Sequence, residues 1–151
     1  MIVGLASDHG GFLLKEDIKQ YLEERMIQYI DLGTDSEESV DYPEFGEKAA
    51  NTVVSGQCDQ AIVCCGTGIG ISISANKVPG IRCAVVSDVF SAKMSKAHNN
   101  ANMLALGGRV VGKGLAFEIV EAWLNTEFSG GRHQKRVDKI SNIENKYFNT
   151  K

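Results

Sequence analysis

The pattern of apolar and polar residues predicts an α/β domain: a five-stranded parallel sheet covered by helices on both faces. Three observations carry this. Short apolar runs of strand length alternate with helical stripes along the whole chain. One run, Ala61–Cys65, empties into Gly66-Thr67-Gly68-Ile69-Gly70, with glycine at every second position and a helix-like stretch behind it. The chain has 151 residues, the size of one ordinary domain, and a domain of that length can bury roughly two-thirds of its unfolded surface.

Ile2–Ala6 is read as the first strand. Gly11–Glu24 follows as a helix, with Phe12, Leu14, Ile18, Tyr21 and Leu22 on one stripe. Ile27–Asp31 is the second strand and Glu44–Ser55, after Pro43, the second helix. Ala61–Cys65 and Arg82–Val86 are strands three and four, separated by the glycine loop, a helix over Ile71–Lys77 and a Pro79-Gly80 turn. Val89–Ala97 is a helix, Met103–Leu106 the fifth strand, and Gly114–Asn125 a helix with Leu115, Ile119, Val120 and Trp123 on its stripe. After the Ser129-Gly130-Gly131 break, His133–Phe148 reads as a charged amphipathic helix. It lies outside the alternating pattern and is suited to packing on a second copy. Parallel sheets with right-handed crossovers bind ligands at the carboxyl ends of their strands. Function is therefore expected in the loops after Ala6, Asp31, Cys65, Val86 and Leu106.

With 43% hydrophobic and 23% charged residues the chain reads as a soluble globular protein. Its net charge of −3 argues against a broad nucleic-acid-binding surface and leaves room for a local group of arginines. Met1–Asp8 has no basic flank and too short an apolar stretch for an export signal or a membrane span. Cys58, Cys64, Cys65 and Cys83 have neither CxxC spacing nor the pattern of a disulfide framework, so reduced thiols in a cytoplasmic protein are expected, without a zinc site.

Glycines let backbone N–H groups crowd around an anion, a helix start adds its positive end, and the same field favours a thiolate at a neighbouring cysteine. The loop at 66–70 is not a Walker motif, since no Gly-Lys-Ser/Thr closes it. Ile71 stands where the dinucleotide fingerprint needs Gly and where a thiol phosphatase loop needs Arg. A tight strand-to-helix turn is the plain alternative. Cys64 and Cys65 point to opposite sides of a strand; Cys64 is expected in the core and Cys65 exposed at the loop, or else buried as a small hydrophobe. Asp8 and His9 could hold sugar hydroxyls or phosphate, or Asp8 could simply cap the first helix while His9 is solvated. His98 could shuttle protons near neutral pH or be a helix C-terminal cation followed by Asn99 and Asn100 in the turn. Arg109, Arg132 and Arg136 suit phosphate, the last two sharing a helix face four residues apart; a solvated face is the other reading. Tyr42-Pro43 could border the site, His133 is read as structural or surface, and the acidic run Asp35–Asp41 as a solvated loop.

Six motifs taken in order, Ser-Asp-His-Gly-Gly at 7–11, Asp-Tyr-Pro at 41–43, Cys-Gly-Thr-Gly-Ile-Gly at 65–70, His-Asn-Asn-Ala-Asn at 98–102, Gly-Gly-Arg at 107–109 and Gly-Gly-Arg-His-Gln-Lys-Arg-Val at 130–137, resemble the type B ribose-5-phosphate isomerases over nearly the whole chain. The galactose-6-phosphate isomerase subunits belong to the same group. The resemblance implies a three-layer Rossmann-like or flavodoxin-like domain and a homodimer, or dimers paired into tetramers, with active sites shared between subunits. It implies interconversion of D-ribose 5-phosphate and D-ribulose 5-phosphate without metal or organic cofactor. By motif position, Cys65 would take the C2 proton, Gly66, Thr67, Gly68, Ile69 and Gly70 would hold the enediolate, and His98 would open the ring with Asp8 nearby. Asn99 would hold the sugar, and His9, Arg109, Arg132 and Arg136 would engage sugar and phosphate. One galactose-6-phosphate subunit type lacks the cysteine and the other lacks the His-Asn pair and terminal arginines, whereas this chain has them all. Hexose 6-phosphates and a non-catalytic sugar-phosphate-binding role are the competing readings.

Overall fold

Five parallel strands form one sheet in the order β2-β1-β3-β5-β4. They are β1 Ile2–Ser7, β2 Gln28–Asp31, β3 Gln60–Cys65, β4 Cys83–Val85 and β5 Met103–Gly107. The computed structural model describes residues 1–148. Every strand lies within a residue of its expected bounds, but β5 inserts between β3 and β4. The flavodoxin-like order 2-1-3-4-5 is thus exchanged at its last two strands. Burial explains the exchange. All five residues of β5 are buried and want neighbours on both sides, whereas the three-residue β4, ending on an exposed Val85, tolerates an edge.

The helices are α1 Phe12–Glu24, α2 Tyr42–Val54, α3 Ile69–Ala75, α4 Val89–Asn99, α5 Lys113–Leu124 and α6 Arg132–Phe148. Helix α2 starts earlier than the sequence suggests because Pro43 falls in its first turn, where a missing N–H is harmless. Helix α3 sits two residues ahead of its expected place, so it begins inside the glycine loop. Helix α4 runs on to Asn99 and is stopped by Asn100 in the left-handed conformation at φ 47°.

Side chains alternate across the sheet, and the two faces are built differently. Val3, Leu5, Ile62, Cys64, Leu104 and Leu106 pack with Ile18 and Leu22 of α1, Ala92 of α4 and Ile119 and Trp123 of α5. Ala6, Ala61, Val63, Cys65 and Ala105 pack with Ala49 and Ala50 of α2 and Ile71 and Ala75 of α3. The small residues on this second face let α2 and α3 lie close to the strands and to each other. Each fully buried Leu or Ile contributes about 1.5–3 kcal/mol relative to exposure. Lys15 of α1, 1% exposed, pairs with Asp31 at 2.7 Å and Glu16 at 3.0 Å, tying the helix to the carboxyl end of β2. Helix α6 packs on α4 and buries His133 and Val137. Among the described residues no helix is long and apolar enough to cross a membrane.

Candidate active site

Cys65 is the last residue of β3, and the chain turns back over it at once. The Gly68 N–H donates to Cys65 Sγ at 3.1 Å. This aim requires Gly68 at φ +77°, a left-handed conformation, and a Cβ there would stand 2.9 Å from the Leu106 carbonyl carbon. The expected exposure of Cys65 is not found: it is 4% exposed. The Gly108 N–H donates to Cys65 O at 2.8 Å and the Arg109 N–H to Gly66 O at 3.0 Å, so the loop after β5 roofs the strand end. The sulfur is buried yet faces the glycine loop. Burial alone pushes the Cys83 thiol up to about 12 and, with its neighbour Cys65, pushes Cys64 higher still. Those two thiols are structural.

Thr67 Oγ1 accepts from the Ile69 N–H at 3.2 Å, which leaves the exposed Thr67 hydroxyl proton free to donate. Asp8 is buried, and its Oδ1 accepts from the Gly11 N–H at 3.1 Å, the capping role left open by the sequence. His9 is anchored rather than solvated: its Nδ1 accepts from the Val40 N–H at 3.2 Å, from the loop that leads into α2. The Arg109 guanidinium lies over Gly66, with Nη1 3.4 Å from where a Cβ would stand. The Tyr42 ring packs against Gly70, bordering the loop as expected. His9, Gly108, Arg109 and Glu37 line a cavity of about 200 Å³, and Thr67, Ile69, Val85 and Gly107 line another of about 330 Å³. Asp8, His9, Cys65, Gly66–Gly70 and Arg109 therefore meet at the carboxyl edge of the sheet.

His98, Asn99, Arg132 and Arg136 do not join them. Helix α4 starts beyond the carboxyl end of β4 and returns the chain to the amino end of β5, and its eleven residues rise about 16 Å. His98 and Asn99 thus lie at the opposite edge, where Arg82, just ahead of β4, donates to Asn99 O at 3.1 Å. The His98 ring stacks on His133 at 4.1 Å between centroids and 5° between planes. Arg132 and Arg136 flank His133 on exposed positions of α6, and burial together with the charges of His98, Arg132 and Arg136 pushes the His133 imidazolium down. His133, readable from its spacing as either structural or surface, is buried, and only the packing of α6 on α4 places it against His98.

Fold and site define an α/β enzyme that presents glycine-rich loops and a cysteine at the carboxyl edge of a parallel sheet. The Ribose/Galactose Isomerase family model matches residues 3–140, and the chain belongs to that family. Ribose-5-phosphate isomerase B of Escherichia coli is 49% identical over 94% of this chain and 95% of its own length. The structure of Clostridium thermocellum Ribose-5-Phosphate Isomerase B superposes with a TM-score of 0.96 at 58% identity, covering 97% of this chain and 99% of that one. Galactose-6-phosphate isomerase subunit LacB of Clostridium acetobutylicum is 40% identical over 92% of this chain and 80% of its own length.

Proposed function

We propose that the protein interconverts D-ribose 5-phosphate and D-ribulose 5-phosphate through a cis-enediolate, in a site completed by two copies of the chain. The observation that carries this reading is the Cys65 sulfur facing the Gly68 N–H at 3.1 Å, beneath a loop flanked by Asp8, His9 and Arg109. Moving a carbonyl between C1 and C2 needs one base near both carbons and donors for the oxygens, not redox chemistry. Cys65 as thiolate takes the C2 proton of the open-chain aldose, and the C–H electron pair forms the C1–C2 double bond as the C1 carbonyl becomes an oxyanion. Backbone N–H groups of the glycine loop and the Thr67 hydroxyl stabilise that charge. The O2 proton then moves to O1, and the Cys65 thiol delivers its proton to C1 as the C2 carbonyl forms.

His98 and Asn99, at the far edge of their own sheet, serve the site of a second copy. There His98 opens the furanose ring, with Asp8 nearby, and Asn99 holds the sugar. Arg132 and Arg136 reach the same site from α6, where with His9 and Arg109 they match a phosphate dianion. The exposed Ile140, Ile143, Tyr147 and Phe148 of α6, with Val85 and Phe90, supply an apolar surface for that partner. Cys65→Ala tests the reading: binding of the sugar phosphate persists while turnover falls at least about a hundredfold, the scale of a lost general base. Near-normal turnover removes Cys65 from the mechanism, and a wild-type protein that binds without turnover leaves only a binding module. Likeness to the LacB subunit keeps hexose 6-phosphates as the second reading, and rates on ribose, allose and galactose phosphates measured side by side decide between them.

A further inference from the structure

We infer that Arg82 and Lys96 together are positioning residues for His98 and Asn99, gripping three consecutive carbonyls where α4 ends. A helix leaves its last carbonyls without intrahelical partners and with partial negative charge. Here the left-handed Asn100, whose N–H returns to Lys96 O at 3.1 Å, turns the chain sharply. Arg82 Nε donates to Asn99 O at 3.1 Å and to Asn100 O at 3.0 Å, and its Nη2 donates to Asn100 O at 2.9 Å. Lys96 Nζ donates to the next carbonyl, Ala101 O, at 3.2 Å.

Each cation is anchored elsewhere in the core. Arg82 stands ahead of β4 with its own N–H on Asn102 Oδ1 at 2.8 Å, while the Met103 N–H donates to Arg82 O at 3.3 Å. Lys96 Nζ also donates to Gln60 Oε1 at the start of β3, at 2.5 Å, and lies 4.1 Å from the Trp123 ring centroid in α5. The end of α4 is therefore pinned to β4, β3 and α5 at once. Placing two cations here is costly: burial and the positive charge of Arg82 push the Lys96 amine down to about 8, and burial lowers Arg82 against the pull of Glu144. Neutral donors could satisfy the same carbonyls. Charged donors hold them more tightly, and what they hold is the turn that presents His98 and Asn99.

The importance of that turn rests on the isomerase reading, so the test has an arm independent of turnover. The chain has three histidines, His9, His98 and His133, so their ring signals are few enough to follow one by one by NMR. Arg82→Gln, which is shorter, uncharged and lacks the Nε/Nη2 fork, and Lys96→Met are each expected to move the His98 and His133 ring signals and leave those of His9 in place. The same variants lower kcat on ribose 5-phosphate about tenfold, within the range of losses from small misplacements. Arg82→Lys, which keeps the charge and loses the fork, recovers only part of both effects. A folded Arg82→Gln protein with wild-type His98 signals and wild-type kcat overturns the inference. If Arg82→Gln does not fold, Lys96→Met decides by the same two readouts. If the wild type isomerises no sugar phosphate, the proposed activity fails and the histidine signals alone decide the clamp.

Discussion

Replacing Gly68 by alanine strains the backbone and unsettles the site together. Alanine at φ +77° costs about 1–2 kcal/mol as a left-handed residue. The new Cβ would lie 2.9 Å from Leu106 C, 3.0 Å from Val85 Cγ2 and 3.1 Å from Leu106 O. Val85 is on the edge strand and can yield, but Leu106 is the buried backbone of a central strand and cannot, so the loop must move instead. Overpacking of this kind costs about 1–3 kcal/mol, giving roughly 2–5 kcal/mol in all. The movement also withdraws the Gly68 N–H from Cys65 Sγ, so kcat should fall at least about tenfold. Urea unfolding and steady-state rates measure the two effects on the same preparation. Gly114→Ala is the control: it lies in the first turn of α5 and nothing lies within 4 Å of the added methyl, so stability is expected to hold or to rise by up to about 1 kcal/mol. A Gly68→Ala protein as stable and as active as wild type would refute the packing argument and the role of the N–H together.

Two further outcomes follow from other parts of the molecule. Asp31→Asn leaves the buried Lys15 ammonium with Glu16 alone and should destabilise by about 2–4 kcal/mol, somewhat below the usual loss for a broken buried pair; an unchanged urea midpoint at neutral pH would show that the pair contributes nothing. Burial raises the Asp31 carboxyl, but its bonds from Lys15, the Gly33 N–H and Lys19 outweigh that and hold it below the usual carboxylate range. A carboxyl lowered on folding stabilises above its unfolded value of about 4 and loses that contribution as pH falls through the lower folded value. The acid limb of stability should therefore be shallower in Asp31→Asn than in wild type. Arg136→Ala is expected to raise the apparent KM for phosphorylated sugar with little change in kcat, and an unchanged KM would remove Arg136 from the phosphate site.

Much of this was legible in the residues. The alternation of strand-length and helical stripes placed every strand to within a residue, because period 2 and period 3.6 are local consequences of which face is buried. The edge of the sheet carrying Asp8, His9, Cys65, Gly66–Gly70 and Arg109 followed from parallel topology. Helix starts were less legible. Pro43 looked like a boundary and proved to be part of the first turn of α2, and the glycines at 68 and 70 hid the start of α3. Local sequence leaves the exposure of Cys65 open, because the loop that covers it comes from residues 107–109, far along the chain.

Spacing and residue type over a few neighbours set the elements, their order and the chemical groups available at the ends of the strands. Tertiary structure alone decided that β5 lies inside β4, that His98 stacks on His133, and that Arg82 and Lys96 meet at the end of α4. Each of these depends on contacts between residues distant in the chain, chosen by which surfaces can be buried together, and no local pattern encodes that choice.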